Sequence, residues 1–278
     1  MNLPTNAQSY GRVWAEDYDD LYGDRDDPAA VVRFLEALAP AGRVLEMGVG
    51  TGRLAIPLAQ ARFRVTGIDA SPEMLSLLRR RSGAELIDVI EGDMVTTDAG
   101  SGFDVVLIAF STLFLVPSQQ EQIACLVNAY RHVRPGGAVV VEAFVPDHSR
   151  WTRGQNISIG HLDADGVVLK LSVHDPVQQV ISVQDVEVSS VGTRLRPNVL
   201  RYVWPAELDA MARAAGLDPD QRWSGWTAAP FTATSASHVS VFRRPMSGEV
   251  SDQAYGRNAG RTGRPRRCAC TPSSSALR

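Results

Sequence analysis

Lysine is almost absent: of 28 basic residues only Lys170 is a lysine. A bias of the coding sequence accounts for this without a functional reading. Cysteine is scarce as well. Cys125 falls in a predicted helix, and Cys268 and Cys270 lie near the C-terminus with no His or further Cys beside them, so neither a disulfide framework nor a metal site is expected. No apolar run approaches the length of a membrane-spanning helix, so no membrane association is expected. The first twenty residues, MNLPTNAQSYGRVWAEDYDD, have neither a basic start nor an apolar segment. That argues against a secretory signal and makes a cytoplasmic protein the expectation. Positive charge is lacking in most of the chain. Residues 247–278 carry six arginines against Glu249 and Asp252, which leaves −7 for the remainder of a chain whose total is −3. A nucleic-acid-binding surface is therefore not expected.

What is present is an ordinary globular composition, 44% hydrophobic over 278 residues, enough to fill one large domain. The first 26 residues are polar and aromatic, with Trp14, Tyr18 and Tyr22 among them. Asp27-Pro28 then opens a helix to about Ala39, with Val31, Phe34, Leu35 and Leu38 on one face. Strands are expected at Arg43–Glu46, Arg64–Asp69, Leu86–Ile90, Phe103–Ala109 and Ala138–Ala143. Helices between them are expected at Leu54–Ala61, from Ser71-Pro72-Glu73 to about Arg81, and from Ser118 to about His132. His132 reads as a helix-terminal residue stabilised by the helix dipole, and Pro135-Gly136-Gly137 reads as a turn. Alternating strands and helices imply a parallel sheet covered on both faces.

After about Gln155 the pattern changes. Val167–Val173, Val180–Val188 and Leu195–Val203 are rich in β-branched residues, and Asp165-Gly166 marks a hairpin after His161–Leu162. This is an antiparallel insertion, bounded at about 145–203. A helix returns at Pro205–Ala215, and strands follow near Gln221–Gly225 and His238–Arg243. One domain over 1–246 is expected, with a disordered Arg/Ser/Gly-rich tail from Ser247 onward.

The segment VLEMGVGTG joins the first strand to the next helix. Glycines at 48, 50 and 52 let a ligand approach the backbone beside a helix N-terminus. The dinucleotide pattern G-x-G-x-x-G is not met, because Arg53 stands where its third glycine belongs. Glu46, at the strand end, suits an ammonium and repels a pyrophosphate. Asp69 ends the second strand, where an acid can accept from both ribose hydroxyls. Gly92-Asp93-Met94 ends the third, where Asp93 can accept from an exocyclic amine with Met94 against the ring. Ala109-Phe110-Ser111 ends the fourth, where an open α/β sheet places its ligand.

Together VLEMGVGTG, GIDASPEML, EGDM, FDVVLIAFSTLFLV and VRPGGAVVVEAF resemble the class I S-adenosylmethionine-dependent methyltransferases over about residues 15–145. That resemblance implies a Rossmann-like seven-stranded sheet in the order 3-2-1-4-5-7-6, strand 7 antiparallel, with S-adenosyl-L-methionine as cofactor. It also implies that Glu46 lies near the methionine ammonium, that Gly48 and Gly50 lie beneath the ligand, that Asp69 holds the ribose, that Asp93 and Met94 stand at the adenine, and that Ala70 is among the cofactor-binding residues. Ala109 and Phe110 complete the expected cofactor site. The insertion and the aromatic N-terminal segment resemble the small-molecule branch, notably the amino-sugar N,N-dimethyltransferases of antibiotic pathways.

For catalysis, Tyr18 and Tyr22 can close over a sulfonium, and Glu142 ends the fifth strand on the acceptor side. His148, His161 and His174 are base candidates near the insertion. A hydroxyl acceptor needs a general base close by, whereas an amine needs only to be unprotonated. No His or Asp falls in a motif that marks such a base, which favours N-methylation of a small molecule over O- or C-methylation. A non-catalytic S-adenosylmethionine-binding scaffold is the reading from another class. The insertion is expected to cover the carboxyl ends of the parallel strands as an acceptor wall, and a homodimer built on it is the competing expectation. Deleting residues 247–278, which have no apolar periodicity, is expected to leave activity and melting temperature nearly unchanged; a loss of several degrees would show that the tail packs.

Overall fold

The computed structural model describes residues 7–22 and 27–246, with side chains from Tyr10 to Asp19 and from Asp27 onward. The expected tail from Ser247 lies outside the described residues. The chain begins with α1 (Ala7–Tyr22) and α2 (Asp27–Leu38). It then alternates β1 (Arg43–Met47), α3 (Ala55–Gln60), β2 (Arg64–Asp69), α4 (Pro72–Arg80), β3 (Ile87–Glu91), β4 (Phe103–Ile108), α5 (Gln119–His132) and β5 (Val133–Phe144). An insertion of β6 (Gln155–Leu162), β7 (Gly166–Asp175), β8 (Val180–Ser189) and β9 (Gly192–Arg201) follows. The chain returns through α6 (Pro205–Ala214), β10 (Asp218–Trp223) and β11 (Ser237–Arg243).

Seven strands form one sheet in the order β10-β11-β5-β4-β1-β2-β3. Numbered within the sheet this is the expected 3-2-1-4-5-7-6. β11 runs antiparallel to both β5 and β10, and the other neighbours are parallel. The central strands read as nearly continuous apolar runs because both faces are covered. Leu45, Val106, Ile108, Val139 and Val141 pack toward α5 and α6, while Val44, Val105, Leu107 and Val140 pack toward α2, α3 and α4.

Three local expectations differ, and one segment given no element from the sequence has one. The N-terminal segment is helical: Tyr10, Trp14 and Tyr18 recur every four residues, so one face of α1 is aromatic. Trp14 is buried, stacked on Tyr10 with ring centroids 5.6 Å apart. Pro135-Gly136-Gly137 is not a turn but an irregularity inside β5. Gly136 takes φ +74°, and the segment stays paired to the end of β11 through Gly136 N–H to Arg244 O (2.8 Å) and Arg244 N–H to Gly137 O (3.1 Å). β6 starts at Gln155 rather than near His161, with a register shift between Ile159 and His161. β10 starts at Asp218, three residues earlier than expected, with a register shift between Pro219 and Gln221; as an edge strand it tolerates the proline.

The insertion is a separate antiparallel sheet, β6-β7-β8-β9. Its registers put Val168, Lys170, Ser172 and His174 on the same face as Ile181, Asp185, Glu187, Arg194, Arg196 and Leu200. This inner face meets the rest of the domain. Arg196 pairs with Asp17 of α1 (2.8 Å) and with Glu187, and Arg194 pairs with Glu16 (2.7 Å). The Trp14 indole N–H donates to Pro197 O (3.3 Å). On its other side α1 is tied to the parallel sheet. Asp19 accepts from the Thr51 hydroxyl (2.7 Å) and pairs with Arg81 (3.2 Å). Gly11 lies so close to α4 that a Cβ would fall 2.0 Å from Ser71 Oγ. α1 therefore bridges the two sheets. No described helix is long and apolar enough to cross a membrane.

Candidate active site

The site begins where β1 ends. The backbone after Met47 turns through Gly48 (φ +85°) and Gly50 (φ +55°), left-handed conformations that a side chain rarely adopts. A Cβ on Gly48 would sit 2.4 Å from Thr112 Cγ2, and Gly50 faces open space. Gly48 and Val49 donate to Ile68 O (2.8 and 2.9 Å), so the turn hangs on the end of β2. Asp69, the last residue of β2, accepts from Gly50 N–H (2.8 Å) and Ser71 N–H (2.9 Å). Burial raises its pKa above the usual carboxylate value, and these backbone bonds oppose the rise. Ser71 caps α4 by accepting from Met74 N–H (3.1 Å).

In front of this turn lies a cavity of about 470 Å³, within the range of small-ligand sites. Gly48, Gly50, Asp69, Ala70, Asp93, Met94, Phe110 and Tyr18, all expected at the site, line it. Asp93 also accepts from Val95 N–H (2.8 Å), which orients its carboxylate. Two expected residues do not line the cavity. Ala109 is buried, and its side chain packs in the core cluster that contains Phe34 and Trp226. Glu46 is 4% exposed, behind the turn, with the Ala55 N–H bonding its carboxyl. Its Oε2 has no hydrogen-bond partner among the described residues. Tyr22 lies on α1, but its side chain is outside the described residues.

A second cavity, of about 350 Å³, adjoins the first. Tyr10, Phe110 and Leu115 line both. The far wall of the second is Glu142 and Phe144 from β5, Ser237 from β11, and Asn198 and Leu200 from β9. The insertion thus contributes its inner face to this cavity, as an acceptor wall requires. Sequence reasoning missed Tyr10. Its signal was the four-residue spacing to Trp14 and Tyr18, which was not read as a helix.

Arg53, the residue that breaks the dinucleotide pattern, is 7% exposed. It pairs with Asp27 at the start of α2 (2.5 Å) and stands over the Phe110 ring, 5.3 Å from its centroid. It thereby braces Phe110 from behind. All five histidines are described, and none lines either cavity. His148 and His174 share the Tyr202 hydroxyl (2.9 and 3.0 Å) in an aromatic cluster with Trp151 and Trp204. His161 pairs with Asp163 at the β6–β7 hairpin (2.7 Å). His238 is fully buried on β11, where desolvation lowers its pKa to about 4. His132 ends α5 as expected, but a dipole-stabilised charge does not explain it. Its Nε2 accepts from Ala99 N–H (2.9 Å) and its Nδ1 faces Asn128 O (2.7 Å). A backbone N–H can only donate and a carbonyl can only accept, so the ring is neutral with its proton on Nδ1.

Residues 44–137 match the model of a family described as a methyltransferase domain. A cypemycin N-terminal methyltransferase from Streptomyces sp is 30% identical over 239 residues, covering 84% of this chain and 97% of that protein. The chain is a class I S-adenosylmethionine-dependent methyltransferase. Among solved structures, the CcbJ methyltransferase of Streptomyces caelestis is 37% identical with a TM-score of 0.81, covering 86% of this chain and 99% of that one. An amino pentose methyltransferase of calicheamicin biosynthesis from Micromonospora echinaspora, solved with S-adenosylmethionine bound, is 25% identical with a TM-score of 0.64, covering 87% and 99%.

The residues of this methyltransferase fit the cofactor. The glycine cradle leaves room for it, four carboxylates (Asp69, Glu91, Asp93 and Glu121) line the cavity, and Glu46 keeps a buried carboxyl oxygen without a partner among the described residues. Burial raises the Glu46 pKa from 4.5 to about 8; Arg53 opposes the rise and Asp69 adds to it. Between those two pH values the folded protein holds a proton that the unfolded chain has lost. The stability this provides is full below pH 4.5 and is lost as pH rises to about 8. Glu46→Gln should remove that slope. In urea denaturation without ligand, the variant should be more stable than the wild type at pH 8–9 and lose that advantage toward pH 5. Parallel curves would place Glu46 in a solvated setting.

Proposed function

We propose that this methyltransferase methylates an amine of a small molecule seated in the second cavity. The observation that carries the reading is the shared wall: two adjoining cavities meet at Tyr10, Phe110 and Leu115, and no histidine lines either. When bound, the cofactor supplies an electrophilic methyl on a positively charged sulfur. The chain then has to align an acceptor with it, and alignment alone is worth several kcal/mol as effective molarity, about 7–11 at the limit. An amine attacks with its own lone pair and sheds its proton to water afterwards, so this reading requires no base in the cavity. The names of the relatives agree, one being a cypemycin N-terminal methyltransferase and one an amino pentose methyltransferase.

In this reading Gly48 and Gly50 lie beneath the cofactor, Asp69 stands at the ribose, Ala70 lines the same cavity, Asp93 and Met94 stand at the adenine, and Glu46, which does not line the cavity, acts on the ammonium from behind the glycine turn. Tyr18 and Tyr10, which both line the first cavity, offer aromatic rings to the sulfonium. Labelled S-adenosylmethionine with a panel of amines and phenols tests the acceptor class; label found only on phenols would overturn it. Asp69→Ala should weaken S-adenosylhomocysteine binding by roughly 1–3 kcal/mol in calorimetric titration while the fold persists. Unchanged affinity in a folded variant would remove Asp69 from the site.

The two faces of the insertion sheet support both uses foreseen for it. The inner face carries the ion pairs and walls the cavity. The outer face carries Ile157, Ile159, Leu162, Val173, Val188 and Leu195, each between 41% and 68% exposed. A contiguous apolar face of this kind marks an interaction surface, and we propose that a second copy of the chain covers it. A charge at Leu200, which lines the second cavity, should reduce acceptor turnover more than cofactor affinity, whereas Val168, on the same face but in the row of Glu187 and Arg194, lines neither cavity. A charge at Ile159 should convert a dimer to monomers in sedimentation. Loss of the dimer with turnover intact in the Leu200 variant would overturn the acceptor wall.

A further inference from the structure

Phe110 and Ser111, immediately after β4, both adopt left-handed backbone conformations, with φ +53° and +59°. Neither is a glycine, so each costs conformational energy, and two in succession persist only where the surroundings hold them. The surroundings here are β5. Glu142 Oε2 accepts from Phe110 N–H (2.8 Å), and Glu142 O accepts from Ser111 N–H (3.0 Å). Ser111 Oγ in turn accepts from Phe144 N–H (3.2 Å). Glu142 thus grips both strained residues, one through its side chain and one through its backbone. It is 9% exposed, so the side-chain bond is largely shielded from water. What the double turn accomplishes is placement: the Phe110 side chain stands in the wall common to both cavities, braced behind by Arg53.

We infer that Glu142 is a positioning residue: its carboxylate locks the Phe110–Ser111 turn, and this sets the spacing of acceptor and cofactor. Its part is hydrogen-bond acceptance, not proton abstraction and not charge. The role rests on reading the second cavity as the acceptor site, and it is independent of the acceptor's class. A glutamine offers the same acceptor oxygen in the same shape but neither a base nor a charge.

The test compares Glu142→Gln and Glu142→Ala with the wild type, on whichever acceptor the wild type methylates. An error in the acceptor class therefore appears in the wild type and not in the ratio. Glu142→Gln should keep kcat within about threefold and keep the wild-type pH profile, because the Phe110 N–H retains its partner. Glu142→Ala should lose roughly 10- to 100-fold in kcat at saturating acceptor, the scale of a misplacement of about 1 Å. Equal loss in both variants, or a displaced pH profile in Glu142→Gln, would show that the carboxylate itself takes part and would overturn the inference. So would wild-type kcat in Glu142→Ala, or an effect confined to KM. If the alanine variant fails to fold, the activity and pH profile of Glu142→Gln decide the matter alone.

Discussion

Where the strands of an open parallel sheet end, the chain must reverse without spending its backbone N–H groups on the next strand. Those groups are what a ligand site at that edge is built from, and they need acceptors of their own. Here two carboxylates supply them. Asp69 takes the N–H of Gly50 in the turn after β1, and Glu142 takes the N–H of Phe110 in the turn after β4. Both turns enter left-handed φ. The first does so with glycines, which leaves open space for a ligand. The second does so with Phe110 and Ser111, which puts a ring between two cavities. The same geometric need is met by backbone permissiveness in one turn and by enforced strain in the other.

The helix α1 depends on this edge and completes it. It reaches the glycine turn through Asp19, Thr51 and Arg81, and it reaches the insertion through Asp17 and Arg196. Exposed ion pairs contribute little each. The Asp17–Arg196–Glu187 group differs in that Arg196 is 5% exposed and bonded on both sides. Such a group fixes orientation more than it stabilises. The result is that Tyr10, from the N-terminal helix, and Leu200, from the insertion, meet at one cavity whose floor belongs to the parallel sheet.

Charge around the cofactor cavity is arranged by depth. Glu46, deepest, is held largely as a neutral acid by burial. Arg53 is compensated by Asp27 and faces the Phe110 ring. Asp93 lies at the cavity wall. A positively charged ligand entering from the open side would meet carboxylates with spare acceptor capacity, and a cation placed beside the deep carboxyl would favour its ionised form, the proton leaving to water.

The strand ends, the glycine turn, Asp69, Asp93 and the change from alternating to antiparallel order were legible in the amino-acid sequence. Each is written in neighbouring residues: apolar runs, capping serines, glycines where φ must be positive. The same local logic failed where a short signal had a second meaning. Pro135-Gly136-Gly137 looks like a turn but stays in the ladder, because β11 offers it partners, and the aromatic stripe of α1 needed the sheet beneath it to declare itself. Which side of the insertion faces the site, that Tyr10 stands between two cavities, and that Glu142 holds the Phe110 turn were decided by tertiary structure. Those facts rest on pairs such as Arg194 with Glu16 or Phe110 with Glu142, far apart along the chain. A strand's two faces are equivalent until something packs against one of them, and a carboxylate's role is open until packing chooses the N–H groups within its reach.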